Sequence, residues 1–263
     1  MARILAVTNQ KGGVGKTTTC VNLAASLAAT RRKVLLVDID PQGNATMGSG
    51  IDKNSIEHTV YDVLTKKANA AQVVKTSEAA GYDVMPANGD VTAAEVELMN
   101  EIGREYRLRN AIKEVAVNYD YVLLDCPPAL NLLTVNALVA ANGVLIPMQC
   151  EYYALEGLAA LMNTIEQIRE TVNPSLEIEG LLRTMYDPRN SLTLDVSRQI
   201  TDYFGEKVYR SIIPRNVRLA EAPSYGVPAL KYDKSSRGAI AYLALAGEII
   251  RKDRKAAKEA VLA

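Results

Sequence analysis

Lys11-Gly12-Gly13-Val14-Gly15-Lys16-Thr17-Thr18 lies between a short apolar run at residues 4–7 and a stretch of small and apolar residues at 20–27 that reads as a helix packed on a sheet. Strand, glycine loop and helix in that order are the context a phosphate-binding loop needs. Glycines let the backbone turn tightly and point its N–H groups inward, and the helix adds the positive end of its dipole. Lys16 supplies a point charge for β- and γ-phosphates, and the Thr17 hydroxyl is placed to ligate Mg²⁺. Gly12, Gly13, Val14, Gly15 and Thr18 complete the nucleotide-binding set.

Outward from the loop, apolar runs at 33–37, 82–85, 121–124, 143–148, 178–182 and 208–213 read as strands. Helical patterns lie between or after them, clearest at 106–117, 155–172, 192–204 and 239–251. Continuous apolar strands alternating with helices predict a doubly wound α/β fold, with a mainly parallel sheet covered by helices on both faces. With no repeat, low-complexity tract or linker, residues 1–263 are expected to form a single domain.

Two of these strands end on carboxylates. Val37-Asp38-Ile39-Asp40-Pro41-Gln42-Gly43-Asn44 closes one, and Leu124-Asp125-Cys126-Pro127-Pro128 closes another. In an open parallel sheet the carboxyl edge faces the ligand crevice. An Asp there can address Mg²⁺, its waters or an attacking water, so Asp38, Asp40 and Asp125 are candidates beside the loop.

Composition limits the alternatives. The sequence has 48% hydrophobic residues and no apolar run near the roughly 20 residues a membrane span requires. Nothing at the N-terminus resembles a signal peptide, so a cytoplasmic location is expected. Cys20, Cys126 and Cys150 are scattered without metal spacing and are expected to be buried thiols. The single histidine, His58, is expected at the surface. Formal net charge is zero, yet residues 181–263 hold 15 Lys and Arg against 9 Asp and Glu. Either a solvated charged face or an anionic partner fits that imbalance.

The form K-G-G-x-G-K-[ST] resembles the deviant Walker A motif of the ParA/MinD superfamily of P-loop NTPases. Asp38–Asn44 resembles the switch I segment of ParA proteins, and residues 129–136 resemble switch II. The stretch at 147–158, which includes Glu151-Tyr152-Tyr153-Ala154-Leu155-Glu156-Gly157, and Ile213-Pro214-Arg215-Asn216-Val217-Arg218-Leu219-Ala220-Glu221-Ala222-Pro223-Ser224 look like blocks of Soj-type chromosomal ParA proteins. The resemblance covers essentially the whole chain.

It implies an ATPase that partitions chromosomes or plasmids. ATP and Mg²⁺ drive a sandwich homodimer, the dimer binds DNA without sequence preference on the nucleoid, and a ParB-type partner stimulates hydrolysis. By resemblance, Lys11 reaches the partner protomer's nucleotide, Asp40 positions the hydrolytic water, Asp38 supports the metal shell, and Pro214 contributes backbone contacts to adenine. Arg189, Arg215 and Arg218 are the expected contacts to DNA phosphates.

The alternative is a MinD-like membrane-associated positioning ATPase. That reading calls for an amphipathic C-terminal helix with bulky apolar residues, whereas residues 251–263 offer only Val261 and Leu262. An iron–sulfur relative needs cluster cysteines, which three scattered ones do not supply. A non-hydrolysing regulator is disfavoured by Asp40 and Lys16 together. With the first strand beginning near Arg3, no N-terminal operator-binding domain is expected.

Overall fold

The structure is a computed structural model, and it describes residues 2–152 and 154–262, the side chains of 260–262 excepted. Tyr153 therefore lies outside the described residues, as do the side chains of Val261 and Leu262.

Eight strands form one sheet: β1 (Arg3–Val7), β2 (Val34–Asp38), β3 (Lys75–Ser77), β4 (Tyr82–Met85), β5 (Tyr121–Asp125), β6 (Gly143–Gln149), β7 (Glu177–Tyr186) and β8 (Val208–Pro214). Their order is β3-β4-β2-β5-β1-β6-β7-β8. Every pairing is parallel except β3 with β4.

Alternate residues of the central strands enter opposite cores, as strand geometry requires. Ala6, Leu35, Val37, Val122, Leu124, Val144 and Ile146 pack on one face, with helices Arg107–Ala116, Leu132–Ala140 and Ala154–Thr171. Leu5, Val7, Val34, Leu36, Leu123 and Leu145 pack on the other, with helices Lys16–Ala29 and Arg237–Leu262. Burial on both faces explains why these strands read as unbroken apolar runs. The doubly wound expectation is met.

Beyond several short helices that the sequence reading did not name, three elements show why the structure departs from it. The antiparallel edge strand β3 is Lys-Thr-Ser and carries no apolar signal. Helix Leu132–Ala140 is almost wholly buried, so it lacks the amphipathic period that marks a half-buried helix. Helix Arg237–Leu262 runs well past Arg251, because Lys, Ala and Glu sustain a helix after its apolar stripe ends. Cys20, Cys126 and Cys150 are buried free thiols, as expected. His58 is half-exposed, with Nδ1 3.9 Å from Asp62. No helix among the described residues is long and apolar enough to cross a membrane.

Candidate nucleotide site

Register decides what meets at the carboxyl edge. Val7 aligns with Asp125 across β1 and β5, and Asp38 aligns with Asp125 across β2 and β5. The glycine loop and both strand-end carboxylates therefore leave the sheet at one level.

The loop is shaped to receive an anion. Gly13 and Gly15 take left-handed φ values of +73° and +89°. Helix Lys16–Ala29 begins there with no side-chain cap and no acidic residue in its first turn, which leaves its N–H groups open. A Cβ at Gly12 or Gly13 would meet nothing within 4 Å, so the space before the loop is empty of protein. Thr184 at the end of β7 donates its hydroxyl to the Val14 carbonyl at 2.8 Å and pins the turn. Asn9 accepts from the Lys11 N–H at 3.0 Å and donates to the Pro147 carbonyl at 2.8 Å.

Lys16 is buried, with its Nζ 3.4 Å from the Lys11 carbonyl oxygen. Burial lowers its pKa, against the opposing pull of Asp125 and Asp40. Asp125 has no exposed surface, and neither carboxylate oxygen has a hydrogen-bond partner of ordinary geometry among the described residues. Burial, and then the charge of Asp38, push its pKa well up, and nearby Thr17 and Cys20 offset only part of the rise. A buried carboxylate without donors is costly unless a cation answers it.

No cluster of three or more His, Cys, Asp or Glu among the described residues is placed to hold an ion alone. Mg²⁺ suits such a setting, because it is commonly held by one or two protein ligands together with substrate phosphates and water. Asp125 and the neighbouring Thr17 thus fit that ion.

Asp38 and Asp40 differ in their surroundings. Asp38 is fully buried. Its Oδ2 accepts from the Thr46 N–H at 2.8 Å and hydroxyl at 2.7 Å, and its Oδ1 accepts from the Asp40 N–H at 3.2 Å. Burial raises its pKa to about 6, despite those donors. Asp40 accepts from the Gln42 N–H through Oδ1 at 2.9 Å, while Oδ2 has no donor among the described residues.

Pro214 lines a cavity of about 210 Å³ together with Gly15, Thr18, Ile213 and Asn216. Among the described residues the Asn216 Oδ1 is buried without a partner, close to Gly238. The apolar hollow beside the loop suits a purine base.

The three arginines differ in their surroundings, and Arg215 lines the same cavity as Gly15 and Thr18. Arg189 pairs with both oxygens of Asp187 at 2.9 and 2.8 Å, and these bonds hold the Asp187 pKa down at about 2. Arg215 is exposed, has no ion pair among the described residues, and its charge also reaches Asp187. Arg218 is bound instead to Glu221 at 2.7 Å and Asp233 at 3.5 Å.

Lys11 pairs with Glu151 at 2.6 Å. The loop and the two strand ends, contiguous motifs in the sequence, leave neighbouring strands of the sheet. The sequence alone did not point to Thr184, Asn9, Thr46 or the pairing role of Glu151, because isolated polar residues give no local signal of bonds formed with distant parts of the chain.

A family model described as an AAA domain matches residues 2–178. The sporulation initiation inhibitor protein Soj of Bacillus subtilis is 53% identical over 249 residues, covering 95% of this chain and 98% of its own. The chromosome partitioning protein ParA of Caulobacter vibrioides is 52% identical over 254 residues, covering 96% and 95%. Among solved structures, cobyrinic acid a,c-diamide synthase from Mycobacterium smegmatis, with bound ATP analogue and magnesium, is 37% identical, covers 97% of this chain and 96% of its own, and superposes with a TM-score of 0.85. On the full-length identity to Soj and ParA, together with the loop and its two strand-end carboxylates, the chain belongs to the ParA family of chromosome-partitioning ATPases.

Proposed function

We propose that this protein binds and hydrolyses MgATP, and that ATP switches it into a homodimer that holds DNA without sequence preference. The observation that carries the nucleotide reading is the orphaned carboxylate of Asp125 beside Lys16, beneath an uncapped helix N-terminus. The names of the relatives support the partitioning role. To it the proposal adds a ParB-type partner that stimulates turnover and a place on the nucleoid in the cytoplasm. The diamide synthase activity belongs to a relative of lower identity.

The chain's own residues divide the work. Open N–H groups of the loop and of helix Lys16–Ala29 receive the phosphates, and Lys16 neutralises the charge that grows on them. Thr17 and Asp125 hold Mg²⁺, which supplies electrostatic stabilisation of the transferring phosphoryl group. Asp40 orients a water through Oδ2. The water oxygen bonds to the γ-phosphorus, one of its protons passes to a γ-phosphate oxygen, the bond from that phosphorus to the β-phosphate oxygen breaks, and ADP and dihydrogen phosphate leave. Asp38 supports the metal shell from behind, and its bonds to Thr46 and to the Asp40 N–H also fix the loop that carries Asp40. Pro214 and Asn216 enclose the base. Lys11 crosses to the partner's nucleotide in the dimer, and Arg189, Arg215 and Arg218 contact DNA phosphates.

Two variants test the nucleotide part. Lys16→Ala removes a charge-assisted contact and should weaken MgATP binding about 10- to 100-fold or more. Asp40→Ala should keep ATP affinity and lower phosphate release about 10²- to 10⁴-fold. Wild-type affinity in equilibrium dialysis for the first, or wild-type turnover for the second, would reject the assigned role.

A further inference from the structure

Lys11 and Glu151 are 140 positions apart in sequence, yet the fold brings them together by rigid steps. Strands β1 and β6 are neighbours, with Val7 aligned to Leu145. Beyond β1, Asn9 ties the Lys11 N–H to the Pro147 carbonyl of β6. Beyond β6, the Glu151 N–H donates to the Gln149 carbonyl at 3.0 Å, and the Glu151 carbonyl accepts from the Ala154 N–H at 2.9 Å. Both backbones are thus fixed to adjacent strand ends. The two side chains then close the remaining gap, Nζ to Oε2 at 2.6 Å. Among the described residues, neither has another ion-pair partner.

We propose that Glu151 is a positioning residue for Lys11: it holds the lysine in its own protomer and so sets the concentration at which ATP-bound protomers pair. The inference rests on the cross-dimer role proposed for Lys11. An ammonium held against a carboxylate approaches a partner's phosphates at a cost, because the carboxylate then faces those phosphates and repels them. Pairing is therefore opposed by the Lys11–Glu151 contact in each protomer. The side chains are 40% and 49% exposed, so the hold is weak. A weak hold suits a switch, since the lysine stays out of its own loop but is released readily when a partner's nucleotide offers more charge.

The test is the dimerisation midpoint of the full chain in a saturating non-hydrolysable ATP analogue with Mg²⁺, read by sedimentation or light scattering. Glu151→Gln should lower the midpoint about 2- to 30-fold, because two exposed pairs are relieved per dimer. The difference from wild type should be largest at about 0.05 M salt and shrink at about 0.5 M, where exposed charges are screened. Glu151→Asp, which keeps the charge, should lie nearer wild type than Glu151→Gln. An unchanged or higher midpoint in Glu151→Gln would overturn the inference. So would equal shifts in both variants at both salt levels, which would mean altered packing rather than altered charge. Lys11→Ala separates the two levels. If it dimerises normally, the cross-dimer reading itself fails. If it stays monomeric while Glu151→Gln matches wild type, only the positioning role of Glu151 fails.

Discussion

Asp125 sits in the sheet with no donor of ordinary geometry to its oxygens among the described residues, on the strand beside that of Asp38, and both carboxyl groups have raised pKa values. The sign of the effect on stability follows. A group with a higher pKa in the fold than in the unfolded chain adds stability while protonated, and that stability is lost as pH rises toward its folded pKa. For Asp38 the loss falls between 3.8 and about 6. For Asp125 it begins in the same range and continues higher. Without ligand at pH 7, the site therefore destabilises the fold. Asp125→Asn should melt a few degrees above wild type at pH 7, since about 1 kcal/mol moves Tm by about 2–4 °C in a chain of this size. The gain should shrink toward pH 4, and the variant should lose the extra stabilisation that Mg²⁺ adds to ATP. Equal melting temperatures at pH 7, with the Mg²⁺ effect intact, would contradict this. At this scale the sequence was most legible where chemistry is local. The glycine loop, Lys16 and the strand-end aspartates are contiguous motifs, whereas Thr184, Thr46 and Asn216 act through register and burial that only the folded chain creates.

The segment between β2 and helix Asn44–Gly48 shows how an element carries the chemistry. Gly43 has φ +60°, and a Cβ there would stand 2.6 Å from the Ala87 carbonyl oxygen. The Ala87 N–H is itself held by the Thr46 hydroxyl at 2.9 Å, and that hydroxyl donates to Asp38. The clash thus falls on backbone that cannot easily move. Gly43→Ala should lower stability by at least about 1–3 kcal/mol, from strain at positive φ together with the clash, and should slow hydrolysis by displacing Asp40. Gly12→Ala should leave the denaturation midpoint near wild type, because its Cβ meets nothing. Equal midpoints for the two variants in urea would refute the assignment of strain to Gly43. The central strands were legible as elements because burial on both faces leaves unbroken apolar runs. Edge strand β3 and helix Leu132–Ala140 were not. One has no apolar face to show, and the other is apolar on every side.

Across the whole molecule, the basic C-terminal third is less free than its composition suggests. Arg189 is bound to Asp187, and Arg218 to Glu221 and Asp233, so under the proposed DNA role phosphates would compete with carboxylates for two of the three arginines. One protomer should consequently hold DNA weakly. A dimer presents two sets on one assembly, and once the first has bound, the second acts at high effective concentration. ATP can then switch DNA binding without touching an arginine. Arg218→Glu should weaken binding about equally on unrelated sequences. It should also reduce the log–log salt slope by roughly 0.9 for each DNA phosphate no longer neutralised, while ATP-dependent pairing persists. Weakening confined to particular sequences would instead indicate readout of bases.

The most direct test of the proposed switch is a titration of random-sequence duplex DNA with wild-type protein, once with ADP and Mg²⁺ and once with a non-hydrolysable ATP analogue and Mg²⁺, at one fixed salt concentration. Pairing predicts tight binding with the analogue and weak binding with ADP. Equal affinity in the two nucleotide states would contradict the link between the nucleotide site, the dimer and DNA.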